Sequence, residues 1–167
     1  MRKSTLLRSQ TRWATILLLF ALSMPVGLAQ TKPGSVRGEI AALLGKHDDA
    51  MNRHDMEAVL ALFAPAPAKP VMLGTGPGER YQGAAEIKVA YTEFFKDFDK
   101  GSLNHNCYWK EGGSSGNLAW GAAMCKLSDS HDGKKREYEL NVSAVAEKQK
   151  GNWYFVMLHY SNLTGNQ

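Results

Sequence analysis

At Gly101 the hydrophobic pattern of this chain changes period. Before it, apolar residues recur at three- and four-residue steps. After it they alternate, and three clusters of turn formers, "GGSSGN", "SHDG" and "KQKGN", cut the alternating stretch into four. Four strands joined by short turns make an antiparallel ribbon, and a ribbon with one apolar face must be covered. The N-terminal half has to supply the cover.

It has three helical stripes to do so. Over 35–54, Val36, Ile40, Leu43, Leu44, His47 and Met51 share one face. Asp55 is placed to cap a second, shorter helix with Met56, Val59, Leu60 and Phe63 inward, stopped by "APAPAKP". The third runs over about 84–98, with Ile87, Ala90, Tyr91, Phe94, Phe95 and Phe98 on one side. Between the last two lies "VMLGTGPGERYQG", rich in glycine. A phosphate loop of the Walker type needs Lys then Ser or Thr after its last Gly, and Glu79 and Arg80 stand there instead. Gly74, Gly76 and Gly78 also miss the dinucleotide spacing. The stretch reads as a small hairpin, not a phosphate grip.

Residues 1–29 stand apart. Arg2, Lys3, Arg8 and Arg12 precede the apolar run "ATILLLFAL", and Gly27 and Ala29 supply the small residues that signal peptidase requires. The reading is a secretory signal peptide cut near Ala29, hence a secreted or periplasmic protein off the membrane after cleavage. The stretch from Thr15 to Leu28 holds a Pro and a Gly and falls short of the roughly 20 apolar residues a bilayer-spanning helix needs. A linker over 30–34, one domain over 35–162 and a tail over 163–167 complete the organisation. The chain has 20 basic and 16 acidic residues, but four of the basic ones and none of the acidic ones precede Ala29, so the remainder is formally neutral. With no basic stripe interleaved with aromatics, nucleic acid is not an expected partner.

Pairing the strands by their turns gives a register. Centring the last turn near Lys150 sets Ala144 opposite Val156, Val142 opposite Leu158 and Leu140 opposite Tyr160. Tyr138, Leu140, Val142 and Ala144 then face the helices with Tyr154, Val156, Leu158 and Tyr160, while Glu137 and Glu139 face away. Carried further, the register puts Cys125 opposite Tyr138, Ala123 opposite Leu140, His105 near Cys125 and Cys107 near Ala123.

The inner face is therefore mostly small or apolar, with Ala119, Gly121, Ala123, Val142 and Ala144 leaving room. His105, Cys125, Tyr138 and Tyr160 form a row able to hydrogen-bond, beside Cys107 and Trp109, and the helices add His47 and Tyr91. One reading is a small-molecule chamber in which Tyr91, Trp109, Cys125, Tyr138 and Tyr160 touch ligand and His105 and His47 are the acid–base candidates. The other is a solid core whose Tyr and His reach backbone partners. The outer face collects Trp120, Met124, Trp153, Phe155 and Met157, an apolar patch that a homodimer would cover, with His159 and Asn141 on the same side.

Cys107 and Cys125 are the two cysteines of the chain. In an exported protein such a pair usually joins, yet this register leaves them diagonal, roughly 7–8 Å apart, beyond easy disulfide reach. A two-residue shift would set them opposite, so a disulfide and a buried thiol pair both stay open. No metal site is expected. His47 and His54 are seven residues apart with no third ligand, and Asp48, Asp49 and Asp55 read as a solvated helix face.

Three helices interrupted by a small hairpin, then four antiparallel strands, resemble the cone-shaped nuclear transport factor 2-like fold, an α+β architecture with three N-terminal helices packed on a curved, mainly antiparallel sheet. The stretches "NRHDMEAVLALFAP", "LGTGPGERYQG" leading into "AEIKVAYTEFF", "SGNLAW" and "GNWYFVMLHYS" resemble its SnoaL-like branch. The last is similar to that family's Trp-x-x-Val-x-x-His-x-Ser ending, matched by Trp153, His159 and Ser161, and to the association domain of calcium/calmodulin-dependent protein kinase II. The resemblance implies no cofactor and a fold shared by isomerases, dehydratases, cyclases and proteins that only bind or assemble.

Ketosteroid isomerases of this fold use an inward Asp base with a Tyr and a protonated Asp as oxyanion donors. Here His105 or His47, with Tyr138 or Tyr160, would have to serve. The inward arginines of the kinase domain correspond to Cys125, Ala144 and Tyr160, which implies an uncharged ligand. In order, the expected functions are a binder of a small, largely uncharged molecule, an acid–base isomerase or lyase, and an assembly module.

Overall fold

The computed structural model describes residues 35–162; the expected signal peptide, linker and tail lie outside them. The Ser35 hydroxyl accepts the Gly38 N–H at 3.1 Å and opens α1 (Val36–Asn52), whose buried residues are Leu43, His47, Ala50 and Met51. Asp55 caps α2 (Met56–Leu60) by accepting the Ala58 N–H at 3.0 Å. The expected stripe continued to Phe63, but the helix stops at Leu60. Residues 62–64 turn their backbone to a strand instead: Phe155 N–H donates to Leu62 C=O at 2.8 Å, and Ala64 N–H to Phe155 C=O at 2.9 Å.

β1 (Val71–Leu73) and β2 (Arg80–Gln82) form the expected small hairpin. The Glu79 carboxylate folds back and accepts the Gly76 N–H at 2.8 Å. It occupies the space that a Cβ on Gly74 or Gly76 would need. The glycines admit the protein's own carboxylate, which answers the phosphate question from the other side. α3 (Gly83–Asp97) follows and buries Ile87, Ala90 and Tyr91.

Four long strands come next: β3 (Asn104–Ser115), β4 (Leu118–His131), β5 (Lys134–Gln149) and β6 (Asn152–Asn162). The sheet order is β2-β1-β6-β5-β4-β3, with β1 parallel to β6 and the other pairs antiparallel. Two-residue turns at Asp132-Gly133 (φ 51° and 74°) and Lys150-Gly151 (φ 49° and 86°) have the left-handed backbone that matches strand twist.

The observed register departs from the expected one in a consistent way. Cys125 pairs with Leu140, Ala123 with Val142, Val142 with Tyr160 and Ala144 with Leu158. Each is a two-residue step from expectation, which leaves faces unchanged. Leu158, 1% exposed, lies in the core and Val142 packs against it, so the helix-facing side of β5 is as predicted. Two bulges do change faces. The ladder skips Val156, so Trp153 and Phe155 turn inward beside Leu158, while Tyr154 and Val156 lose their expected core positions. Phe155, fully buried, cannot belong to an exposed dimer patch. The Trp153 indole N–H donates to Glu39 on α1 at 2.6 Å, which ties β6 to the helices.

The second bulge, at Tyr108, lies between the pairs Cys107 with Cys125 and Trp109 with Met124. Cys107 stays on the inner face and Trp109 goes to the outer one. The alternatives for the cysteines are thereby resolved: Cys107 and Cys125 stand directly opposite and are joined by a disulfide. Among the described residues no helix is long and apolar enough to cross a membrane.

Candidate acid–base site

Helix α1 and the start of β3 meet over one carboxylate. Asp48 Oδ2 lies 3.1 Å from His105 Nε2, and Asp48 Oδ1 lies 3.3 Å from His47 Nδ1. On the far side of the His47 ring, Nε2 is 2.8 Å from the Tyr91 hydroxyl and 3.4 Å from that of Tyr160. The five side chains form a connected path from solvent to core. His105 and Asp48 are 38% and 37% exposed, whereas His47 and Tyr91 are buried.

The surroundings shift both members of the exposed pair. Burial pushes the Asp48 carboxyl up, but hydrogen bonds from His105 and His47 and their charges outweigh it, and its pKa drops to about 2. His105 is raised, chiefly by its hydrogen bond to Asp48, against burial and the Lys110 charge. Tyr91 and Tyr160 are raised by burial, so both phenols stay protonated. The two ring nitrogens of His47 face different partners: Nδ1 faces the Asp48 carboxylate, an acceptor, and Nε2 faces the two phenols. A half-exposed imidazole held beside a fixed carboxylate is suited to give and take protons.

The sequence-predicted residues divide accordingly. His105, His47, Tyr91 and Tyr160 come together, on three different elements and one edge strand. Asp48, which joins them, was assigned to a solvated helix face. The signal that could have found it is its place beside His47, at the margin of the buried stripe. Tyr138 is on the inner side but engaged: its hydroxyl donates to Asp129 at 2.8 Å, and Asp129 also holds Arg136 Nε at 2.7 Å. Asp129 is thus an inward strand carboxylate that the register analysis did not place, neutralised by a cross-strand Arg that also grips Asp97 at the end of α3. Cys125 is spoken for by its disulfide, and Trp109 is on the wrong face to touch a ligand there. Among the described residues no group of three or more His, Cys, Asp or Glu is disposed to hold a metal ion.

The outer face carries the remaining expected residues. Trp120 is 54% exposed, and Trp109 and Leu118 are exposed on the same face. Trp109, Met124, Asn141, His159 and Ser161 line an open cleft of about 260 Å³. His159 Nδ1 lies 3.4 Å from Ser143 Oγ, so the His and Ser of the terminal motif face away from the helices.

Helices over one face of a mainly antiparallel six-stranded sheet, with a polar cluster where the first helix meets the sheet, define an α+β protein of the nuclear transport factor 2-like fold. Within that class, residues 40–165 match the SnoaL-like domain, and the chain belongs to that family. No curated protein matches the chain. Among solved structures it is similar to a chain assigned as a calcium/calmodulin-dependent protein kinase II association domain from Xanthomonas campestris, with 21% identity, TM-score 0.68, and 78% of this chain and 90% of that one covered. A nuclear transport factor 2-like protein from Salmonella enterica gives 19% identity and a TM-score of 0.65, covering 77% and 92%. A chain assigned as a dehydratase from Streptomyces avermitilis gives 14% and 0.65, covering 76% and 95%. At these identities the likeness speaks for the fold.

Proposed function

We propose that this protein binds a small, largely uncharged molecule against the inner face of β4 and β5 and moves a proton on it, as a cofactor-independent isomerase or lyase. The observation that carries the reading is the 3.1 Å contact of His105 with Asp48, which holds a half-exposed imidazole in one orientation. His105 is the acid–base group and Asp48 its orienting partner. Ala123 and Val142, paired on the inner face, are the small and apolar side chains the molecule would lie against, and Tyr160 would offer its hydroxyl as oxyanion donor. Support of a general kind comes from the dehydratase assignment of one structural neighbour. The test is deuterium uptake from D2O by a panel of ketones and β-hydroxy carbonyl compounds. Uptake that falls at least about 100-fold in folded His105→Gln supports the reading. Uptake that is equal in both chains, or absent across the panel, removes it.

A second reading concerns assembly. Exposed Trp109, Leu118 and Trp120 favour a homodimer packed through the outer face, even with Trp153 and Phe155 withdrawn from it. Sedimentation of Trp120→Glu tests this: the account expects dimers to become folded monomers, and an unchanged mass contradicts it.

A further inference from the structure

β3 ends the sheet and bonds to β4 alone. Its side chains are exposed along the strand, with Cys107 the one half-buried position. A strand with no buried face carries little information about its own register, because a one-residue slip exchanges its faces at almost no hydrophobic cost. Its ladder is also interrupted. The bulge at Tyr108 separates four pairs, from Asn104 with Ser128 to Cys107 with Cys125, from the seven beyond. His105 sits in the short piece.

Nothing in the exposure of residues 104–107 decides that His105 faces α1. The crosslink does. It fixes Cys107 opposite Cys125, a buried residue of the inner face, and His105 two residues earlier falls on that same face. We propose that the Cys107–Cys125 disulfide is a positioning element for the acid–base site, locking the register of the strand end that presents His105 to Asp48. This rests on the acid–base reading of His105. When a dithiol reduces the bond, it gives two electrons and two protons, becomes a cyclic disulfide, and leaves two thiols. The strand end then keeps four ladder pairs, the bond from Leu103 N–H to Asn52 Oδ1 at 3.0 Å, and the His105 contact itself.

The experiment is an NMR titration of His105 in the oxidised chain, in the same chain under dithiothreitol, and in the Cys107→Ser/Cys125→Ser variant, with near-UV circular dichroism on each. The oxidised chain should titrate above the 6.5 of a free imidazole, and both uncrosslinked forms should move back toward it while remaining folded. Asp48 and the opposing Lys110 are the charges that act on His105. An unchanged titration in a folded, uncrosslinked chain overturns the proposal. So does loss of the whole fold on reduction, since the bond would then hold the domain and not the strand end. A His105 that titrates at or below 6.5 in the oxidised chain removes the acid–base reading itself, a separate failure.

Discussion

His105 Nε2 stands 3.1 Å from Asp48 Oδ2, across the gap between the edge strand and the first helix. The pair gives stability a defined pH window. Asp48 falls to about 2 from 3.8 on folding, so its contribution is present above 3.8 and is lost as pH falls toward 2. His105 is raised above 6.5, so its contribution is complete below 6.5 and is lost as pH rises through the folded value. The pair is therefore strongest between about pH 4 and 6.5. Asp48→Asn should cost about 1 kcal/mol there, a figure discounted for side chains more than a third exposed, and much less at either extreme. Urea midpoints across pH check it.

His54 should act in the opposite sense. Its ring stacks on Phe95 at 4.7 Å and meets Phe98 edge-on at 4.6 Å, with Nε2 buried and, among the described residues, without a hydrogen-bond partner. Burial, then the Lys100 charge, lowers its pKa. Folded protein thus binds less proton here than unfolded, and stability is lost as pH falls below 6.5. His54→Leu should flatten the loss of thermal stability below pH 6.5, and a slope identical to that of the parent would count against this packing.

The bulge at Val156 makes a sharp contrast between two aromatics. Phe155 is fully buried against Phe63 and His47, so Phe155→Ala should cost about 3–5 kcal/mol. Trp120, more than half exposed, should cost less than about 1 kcal/mol when cut to Ala in a monomer. Equal costs in denaturant titrations would argue for the unbulged register.

Asp129 closes the far end of the β4–β5 hairpin. Its side chain is fully buried and accepts from Arg136 and Tyr138. Asp129→Ala leaves the Tyr138 phenol without its acceptor and Arg136 with Asp97 alone, and about 2 kcal/mol of unfolding free energy should go with it. Arg136→Met/Asp129→Leu, which removes both charges, should recover most of that loss in the same titration.

Much of the fold was legible because period and turn chemistry are local. Ser35 to Met51 gave a helical stripe, Asp55 a cap, and Asp132-Gly133 a two-residue turn, and each is found where its local chemistry puts it. What local pattern could not show was the two bulges, since an extra residue at Tyr108 or Val156 alters no composition and no alternation over the few residues on either side. Those two residues account for the faces of Trp109, Trp153 and Phe155. The site was half legible. His47, Tyr91 and Tyr160 lie on apolar stripes that any inward reading brings together, whereas Asp48 becomes visible only when β3 is laid beside α1. The disulfide required a register right to better than two residues, since the expected one was two residues off and left the cysteines diagonal.

The most direct measurement is the titration of the His105 ring proton in the parent chain and in Asp48→Asn. The account predicts a midpoint above 6.5 in the parent and a downward shift in the variant, with the fold intact. Coincident curves would show that Asp48 does not govern His105, and the proposed proton-transfer site would be withdrawn.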